Sequence, residues 1–363
     1  MATSTIKQFR SIYPWIKLPL VVNAPMRLIT GPSLALSVSK AGGIGFIGPG
    51  KDSQALTALL STAKDIYSTS AFSSIRNSQG ELPKLLPVGV GIIIWSSNLA
   101  TIKAAIASCP PAAVWLFAPR NGQRDLEIWS KELRLTSPKT QIWIQVGSVE
   151  DAKKAIFGES PPDVLVLQSA DAGGHGLAKG ASLMSMIPEV LDILKEAGKL
   201  ENVAVVAAGG IADGRGVASS VALGAVGAAM GTRFLAATEA DIAPGYQDAV
   251  ISGGDGSQNT IRTTIYDNLR GTNDWPSEYD GRGIANQTYF DHVSGMDIEV
   301  NRENYRKAMN GSINAWGVDG RLTMYAGTSL GLVKEVQDSE SIVTQTRAQA
   351  SEIWKRHAAD QTN

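Results

Sequence analysis

The chain has one cysteine, Cys109, among 363 residues. A single thiol excludes an internal disulfide and cannot build a CxxC metal site, so no metal is expected and a reducing compartment is. Long apolar runs are also missing: none approaches the roughly 18 residues of a membrane span. The opening MATSTIKQFRSIYPWIKLPL lacks the uninterrupted hydrophobic core of a secretory signal. Charge is sparse, with 18% charged residues and a formal net charge of −1, which leaves no electrostatic case for nucleic acid or an anionic membrane. Acidic residues are absent before Asp52, while Lys7, Arg10, Lys17, Arg27, Lys40 and Lys51 precede it. A basic, acid-poor start also occurs in mitochondrial presequences. Here the fold begins near Val21 and leaves little to cleave, so the cytoplasm is the expected compartment and the mitochondrion the minor alternative.

What the chain does have is glycine, 37 residues of it, with 44% hydrophobic residues. That is the composition of a compact α/β enzyme and not of a disordered chain. Histidine is rare, with three in all, and one of them sits in VLVLQSADAGGHG, residues 164–176. Val164 to Leu167 is apolar on both faces, as in a covered strand of a parallel sheet. Gly173, Gly174 and Gly176 then strip side chains from around His175, so a flat ligand can approach. Imidazole titrates near neutral pH and suits proton transfer. An isolated loop histidine more often only bonds backbone; the glycine setting and a second glycine site turn the reading toward a working group. His292 and His357 lie in polar helical or loop settings and are expected at the surface.

The second glycine site is VAVVAAGGIADGRG, residues 203–216, followed by VALGAVGAAMGTRFL, residues 221–235. Val203 to Ala207 repeats the buried-strand pattern, Gly209 and Gly210 open a turn, and Asp213 is placed to cap a helix starting near Gly214. Ala225 to Met230 forms the next strand, closed by Gly231 and Thr232. Either glycine pair alone is compatible with a plain tight turn. Together, one βα repeat apart, they make a phosphate cradle of bare backbone N–H groups with the Thr232 hydroxyl added. In a (β/α)8 barrel the loops after strands seven and eight commonly hold phosphate.

Strand and helix signals alternate throughout the first two thirds. Strands fall at 20–26, 43–48, 85–94, 112–119, 141–147, 164–167, 203–207 and 225–230. Helices fall near 32–40, 53–67, 98–107, 125–133, 149–157 and 183–196, and from about 214. Eight such units predict an α/β fold of the (β/α)8 TIM-barrel type. A bare barrel needs roughly 250 residues, so residues 1–240 are expected to form it. Residues 241–363 look helical and looped, with a turn-rich TNDWPSEYDGRG at 272–283, and are expected to pack over the barrel mouth as a mainly helical lid or small domain.

NAPM at 23–26, SADAGGHG at 169–176, AAGGIADGRG at 207–216 and GAAMGTRF at 227–234 resemble, in order and spacing over residues 20–240, the nitronate monooxygenase family, older name 2-nitropropane dioxygenase. The resemblance implies non-covalent FMN, no metal, and oxidation of alkyl nitronates by dioxygen to a carbonyl compound and nitrite. It implies that His175 deprotonates or positions the nitro substrate. It places Ala24, Pro25 and Met26 against the isoalloxazine and Gln168 in a hydrogen bond to the flavin. Gly174, Gly209, Gly210, Gly231 and Thr232 would receive the phosphate and ribityl chain, with Gly173, Ala229 and Met230 in the same segments. Gln145 joins this set by its own position at the mouth end of strand five. YAGT at 325–328 resembles a late family loop near the flavin ring, with Thr328 where the bacterial pattern has glutamine. Gly91 and Ala229 replace an asparagine and a glutamine of that pattern, and the usual arginine after the histidine turn is absent; these departures resemble a fungal-like branch. Two alternatives stay open: an FMN-dependent NAD(P)H:quinone or enoyl reductase on the same barrel, and a flavin-binding module without turnover. Whether neutral nitroalkanes are used, and the oligomeric state, also stay open.

Overall fold

The computed structural model describes residues 3–50, 54–69, 75 and 85–360. Eight parallel strands carry the architecture: β1 Leu20–Asn23, β2 Gly45–Ile47, β3 Leu86–Ile93, β4 Pro111–Phe117, β5 Gln141–Val146, β6 Val164–Gln168, and, after an intervening strand β7 Gly174–Leu177, β8 Ala204–Ala208 and β9 Gly227–Met230. Their spatial order is β1-β9-β8-β6-β5-β4-β3-β2. A single parallel bridge, Val22 to Ile44, brings the two ends of that sheet together. The result is a (β/α)8 barrel, with helices following the strands as parallel pairing requires.

The strands read as continuous apolar runs because both faces are covered. Inward-facing Val22, Phe46, Trp115, Trp143, Val166 and Val206 fill the barrel interior. The helix Thr3–Ile12 and the residues after it close the N-terminal end, with Phe9 and Tyr13 packed into that same cluster. Tyr13 Oη accepts from Trp143 Nε1 at 2.8 Å, which satisfies a buried indole. The opposite faces of the strands pack against the outer helices in a larger cluster.

Two sequence expectations need correction. The segment around His175 is no turn: β7 pairs antiparallel with β11 Tyr279–Ile284, which pairs with β10 Thr260–Thr263. This three-stranded sheet stands outside the barrel over its mouth, so the later part of the chain is not purely helical and looped. Glycine-rich strands escape a propensity reading because pairing, and not side-chain preference, holds them. The second correction concerns the final helix, Ser339–Asp360. It does not join the material over the mouth; it packs against the helices Gly214–Ala222 and Pro32–Lys40 and fills the eighth helix position of the barrel. The helix expected near 53–67 begins at Ala55, with residues 51–53 outside the described ones. His292 is exposed, and the His357 side chain lies outside the described residues. Among the described residues no helix is long and apolar enough to cross a membrane, and no three His, Cys, Asp or Glu side chains gather as a metal site would need.

Candidate active site

The C-terminal ends of the barrel strands open into a cavity of about 360 Å³, the position at which barrel enzymes keep their chemistry. One wall is made by the turns after β8 and β9. Gly209 and Gly210 have φ of +100° and +72°, angles that side-chain-bearing residues rarely adopt. A Cβ on Gly209 would lie 2.6 Å from Ser169 Oγ. Asp213 caps the following helix through Arg215 N at 2.9 Å. Gly231 differs: its φ is −99°, and a Cβ there would find nothing nearer than Ala24 Cβ and Met26 Sδ at 3.8 Å. The space beside Gly231 is therefore room left open, with no side chain capping the short helix Thr232–Leu235 that starts there. Thr232 Oγ1 accepts from Gly327 N at 2.9 Å and so keeps its own proton to donate.

His175 enters from the sheet above. Its Nε2 lies 2.8 Å from Asp267 Oδ2, and the two side chains are 10% and 8% exposed. Thr272 Oγ1 donates to the other carboxylate oxygen at 2.8 Å. Burial pushes the Asp267 carboxyl up, but the hydrogen bond and charge of His175, with Thr272 and Arg270, outweigh it and hold it below the usual aspartate range. An ionised carboxylate only accepts, so a neutral His175 must carry its proton on Nε2 and present the lone pair on Nδ1. The Trp275 indole lies flat on the imidazole, centroids 3.7 Å apart at 8°, and Tyr325 meets it edge-on at 5.2 Å. Two guanidiniums, Arg27 and Arg270, line the same cavity. Partial burial and then the Arg270 charge push the Arg27 value down, so the mouth favours an anion.

The cavity gathers Ala24, Pro25, Met26, Gln145, Gln168, Gly173, Gly174, His175, Gly209, Gly210, Ala229, Gly231 and Thr232. Met230 is left out: its side chain alternates to the outer face of β9 and is fully buried in the core. Gln145 Oε1 accepts from Trp115 Nε1 at 2.8 Å, which leaves its amide N–H groups for a ligand. Gln168 is partly committed, since its Nε2 donates to His175 O at 3.1 Å. The absence of a side chain at Gly91 has a local cause: a Cβ would meet Pro25 Cβ at 2.2 Å. Of the late loop, Tyr325 lines the cavity. Asp267, Arg270, Trp275 and Thr272 escaped the sequence reading. Only the turn-rich character of 272–283 marked their neighbourhood, and nothing there said which residue faces His175.

A barrel whose mouth combines a glycine-walled cavity with a buried, carboxylate-paired histidine is an enzyme architecture, with a built place for a ligand and a group able to move a proton. The nitronate monooxygenase family model matches residues 98–271. A nitronate monooxygenase of Metarhizium robertsii, npaC, is 45% identical over 341 residues, covering 94% of this chain and 93% of the relative. A nitronate monooxygenase of Neurospora crassa is 35% identical over 367 residues, covering 98% and 95%. Among solved structures, FabK from Thermotoga maritima superposes with a TM-score of 0.71 at 21% identity, over 97% of this chain and 98% of that one. Nitroalkane oxidase from Streptomyces ansochromogenes gives 0.69 at 19%, over 96% and 99%. At these identities the two structures speak for the fold alone. The chain belongs to the nitronate monooxygenase family, a family of oxidoreductases.

Proposed function

We propose that this chain is an FMN-dependent enzyme that oxidises alkyl nitronates with dioxygen, to a carbonyl compound and nitrite, and that His175 is its base. The observation that carries the reading is the buried His175–Asp267 pair opening onto a glycine-walled cavity in a chain of this family. FMN fits the residues present. The open space beside Gly231, the positive-φ backbone at Gly209 and Gly210, and the free Thr232 proton suit a phosphate. Gln145 and the Ala24–Met26 segment would lie along the ring system. When bound, FMN supplies the electron acceptor that dioxygen regenerates.

The protein's own part is positioning and proton transfer. A neutral nitroalkane gives its α-proton to Nδ1 of His175. The resulting imidazolium is held by Asp267, which accepts from Nε2 throughout and so keeps the ring from rotating. Trp275 covers one ring face and excludes water from it. Arg27 and Arg270 favour the nitronate anion once it forms, or draw in one supplied preformed.

The test compares substrates. A general base contributes about 10²–10⁴-fold to a proton abstraction, and a preformed nitronate needs none. His175→Asn should therefore nearly abolish oxygen uptake with neutral nitroalkanes and spare much of it with nitronates, at unchanged flavin content. Equal loss on both substrates would remove His175 from the role of base.

A further inference from the structure

A second cavity, of about 590 Å³, adjoins the first, and Phe117, Gln145 and Gln168 line both. It lies over β4, β5 and β6, roofed by β7 and by Ser277–Tyr279. Its walls include Leu126, Val146, Leu177 and the Tyr279 ring; of its charged residues Lys154, Lys179 and Glu278 are exposed, while Asp151 is half-buried and accepts from Ser148 Oγ at 2.7 Å. The inside is therefore mainly apolar, with three of the four charges at the rim and the fourth already engaged by a hydroxyl.

An aromatic path joins it to the base. Trp275 stacks on His175; Phe117 lies 6.2 Å from Trp275 and 5.4 Å from Tyr279, centroid to centroid. A carbon positioned for deprotonation at His175 would carry its substituent along this aromatic surface toward the second cavity. We propose that the second cavity receives the apolar chain, alkyl or aryl, borne by the nitro-substituted carbon, so that this chain selects longer nitronates over the shortest ones. The inference rests on the reaction proposed above and adds the part of the substrate that decides selectivity.

The test is a homologous series. With the holoenzyme, kcat/KM for ethyl, butyl and hexyl nitronates should rise by about fourfold for each methylene that enters the cavity, the worth of one buried methylene. Leu177→Trp narrows the cavity from the β7 side, and Ser277→Trp, at an exposed position, narrows it from the roof. Each should flatten the series and leave ethyl nitronate within about twofold of wild type; if Leu177→Trp fails to fold, Ser277→Trp decides alone. A flat series in the wild type, or equal losses at every length in the variants, would overturn the assignment. Anaerobic calorimetry with nitroethane and nitrohexane separates this inference from the reaction. A preference for the longer ligand that both variants lose supports the subsite even if no nitronate is oxidised. Equal affinities in the wild type overturn it.

Discussion

Asp267 keeps its charge in a buried place because His175, Thr272 and Arg270 compensate for the water it has lost. Its value in the folded state is lower than in the unfolded chain. The stability it contributes is thus complete above the ordinary aspartate range near pH ~4 and disappears as pH falls through the lower folded value. Asp267→Asn removes that dependence: the wild type should lose stability more steeply than the variant as urea midpoints are followed downward from pH ~5. The same variant should slow neutral nitroalkanes by about 10-fold or more, because an amide holds the imidazolium less well. Gly231 offers a cleaner probe of the cradle than Gly210, whose positive φ strains any replacement. Gly231→Val has an accessible backbone conformation and free space around its Cβ. It should leave the melting temperature near wild type while weakening FMN by at least ~10-fold, read by titration of the flavin-free protein. Normal FMN affinity in that variant would move the phosphate elsewhere. The two glycine turns were legible in the sequence because their signal is local, a buried strand ending in adjacent glycines. Asp267 was not, since it lies 92 positions from His175 and shares no spacing rule with it.

The three-stranded sheet is the element that aims the histidine. β11 places Gly281 opposite His175, and a Cβ at Gly281 would meet Tyr325 Cε1 at 2.8 Å, so bare backbone there lets the Tyr325 ring approach the imidazole. Arg262 of β10 fastens the sheet to the barrel: its guanidinium donates to Asp280 and to the carbonyls of Ala170 and Ala172, just before β7. Both charged side chains are mostly buried, 11% and 18% exposed. Breaking such a pair costs about 3–5 kcal/mol. Arg262→Ala should lower the urea midpoint accordingly and speed amide exchange at residues 170–177. It should reduce turnover of nitroalkanes and nitronates alike, unlike His175→Asn, since it loosens the whole element. If exchange at 170–177 stays at the wild-type rate, the clamp lies elsewhere. The barrel strands could be read from sequence because each is a continuous apolar run. β7 and β11 could not, because YDGRGI and GHGL carry no alternation and a single β-branched residue, Ile284, between them.

Across the whole molecule, the barrel is completed by a distant part of the chain. Arg347 of the last helix donates to Ala41 O and Gly42 O, both at 2.9 Å. Burial lowers its guanidinium to about 10, the mark of a charge held inside for the sake of those two carbonyls. Arg347→Met should cost about 1–3 kcal/mol in urea unfolding, because the carbonyls lose their donors, and should leave flavin content unchanged, as neither Arg347 nor the two carbonyls line the cavity. Gln349 adds a second tie, accepting from Gly214 N at 2.7 Å, where a Cβ on Gly214 would lie 2.5 Å from Ala350 N. A sequence reading assigns this helix to the material over the mouth because its polar, weakly patterned face gives no sign of where it docks. The placement has a consequence for how the protein is made. A chain that has left the ribosome as far as Leu235 already holds all eight barrel strands, yet the flank between Pro32–Lys40 and Gly214–Ala222 has no cover until Ser339–Asp360 arrives. Residues 236–338 must be translated in between, so the nascent barrel waits through that interval with an apolar seam open to chaperones and proteases, and its closure lags the pairing of its strands.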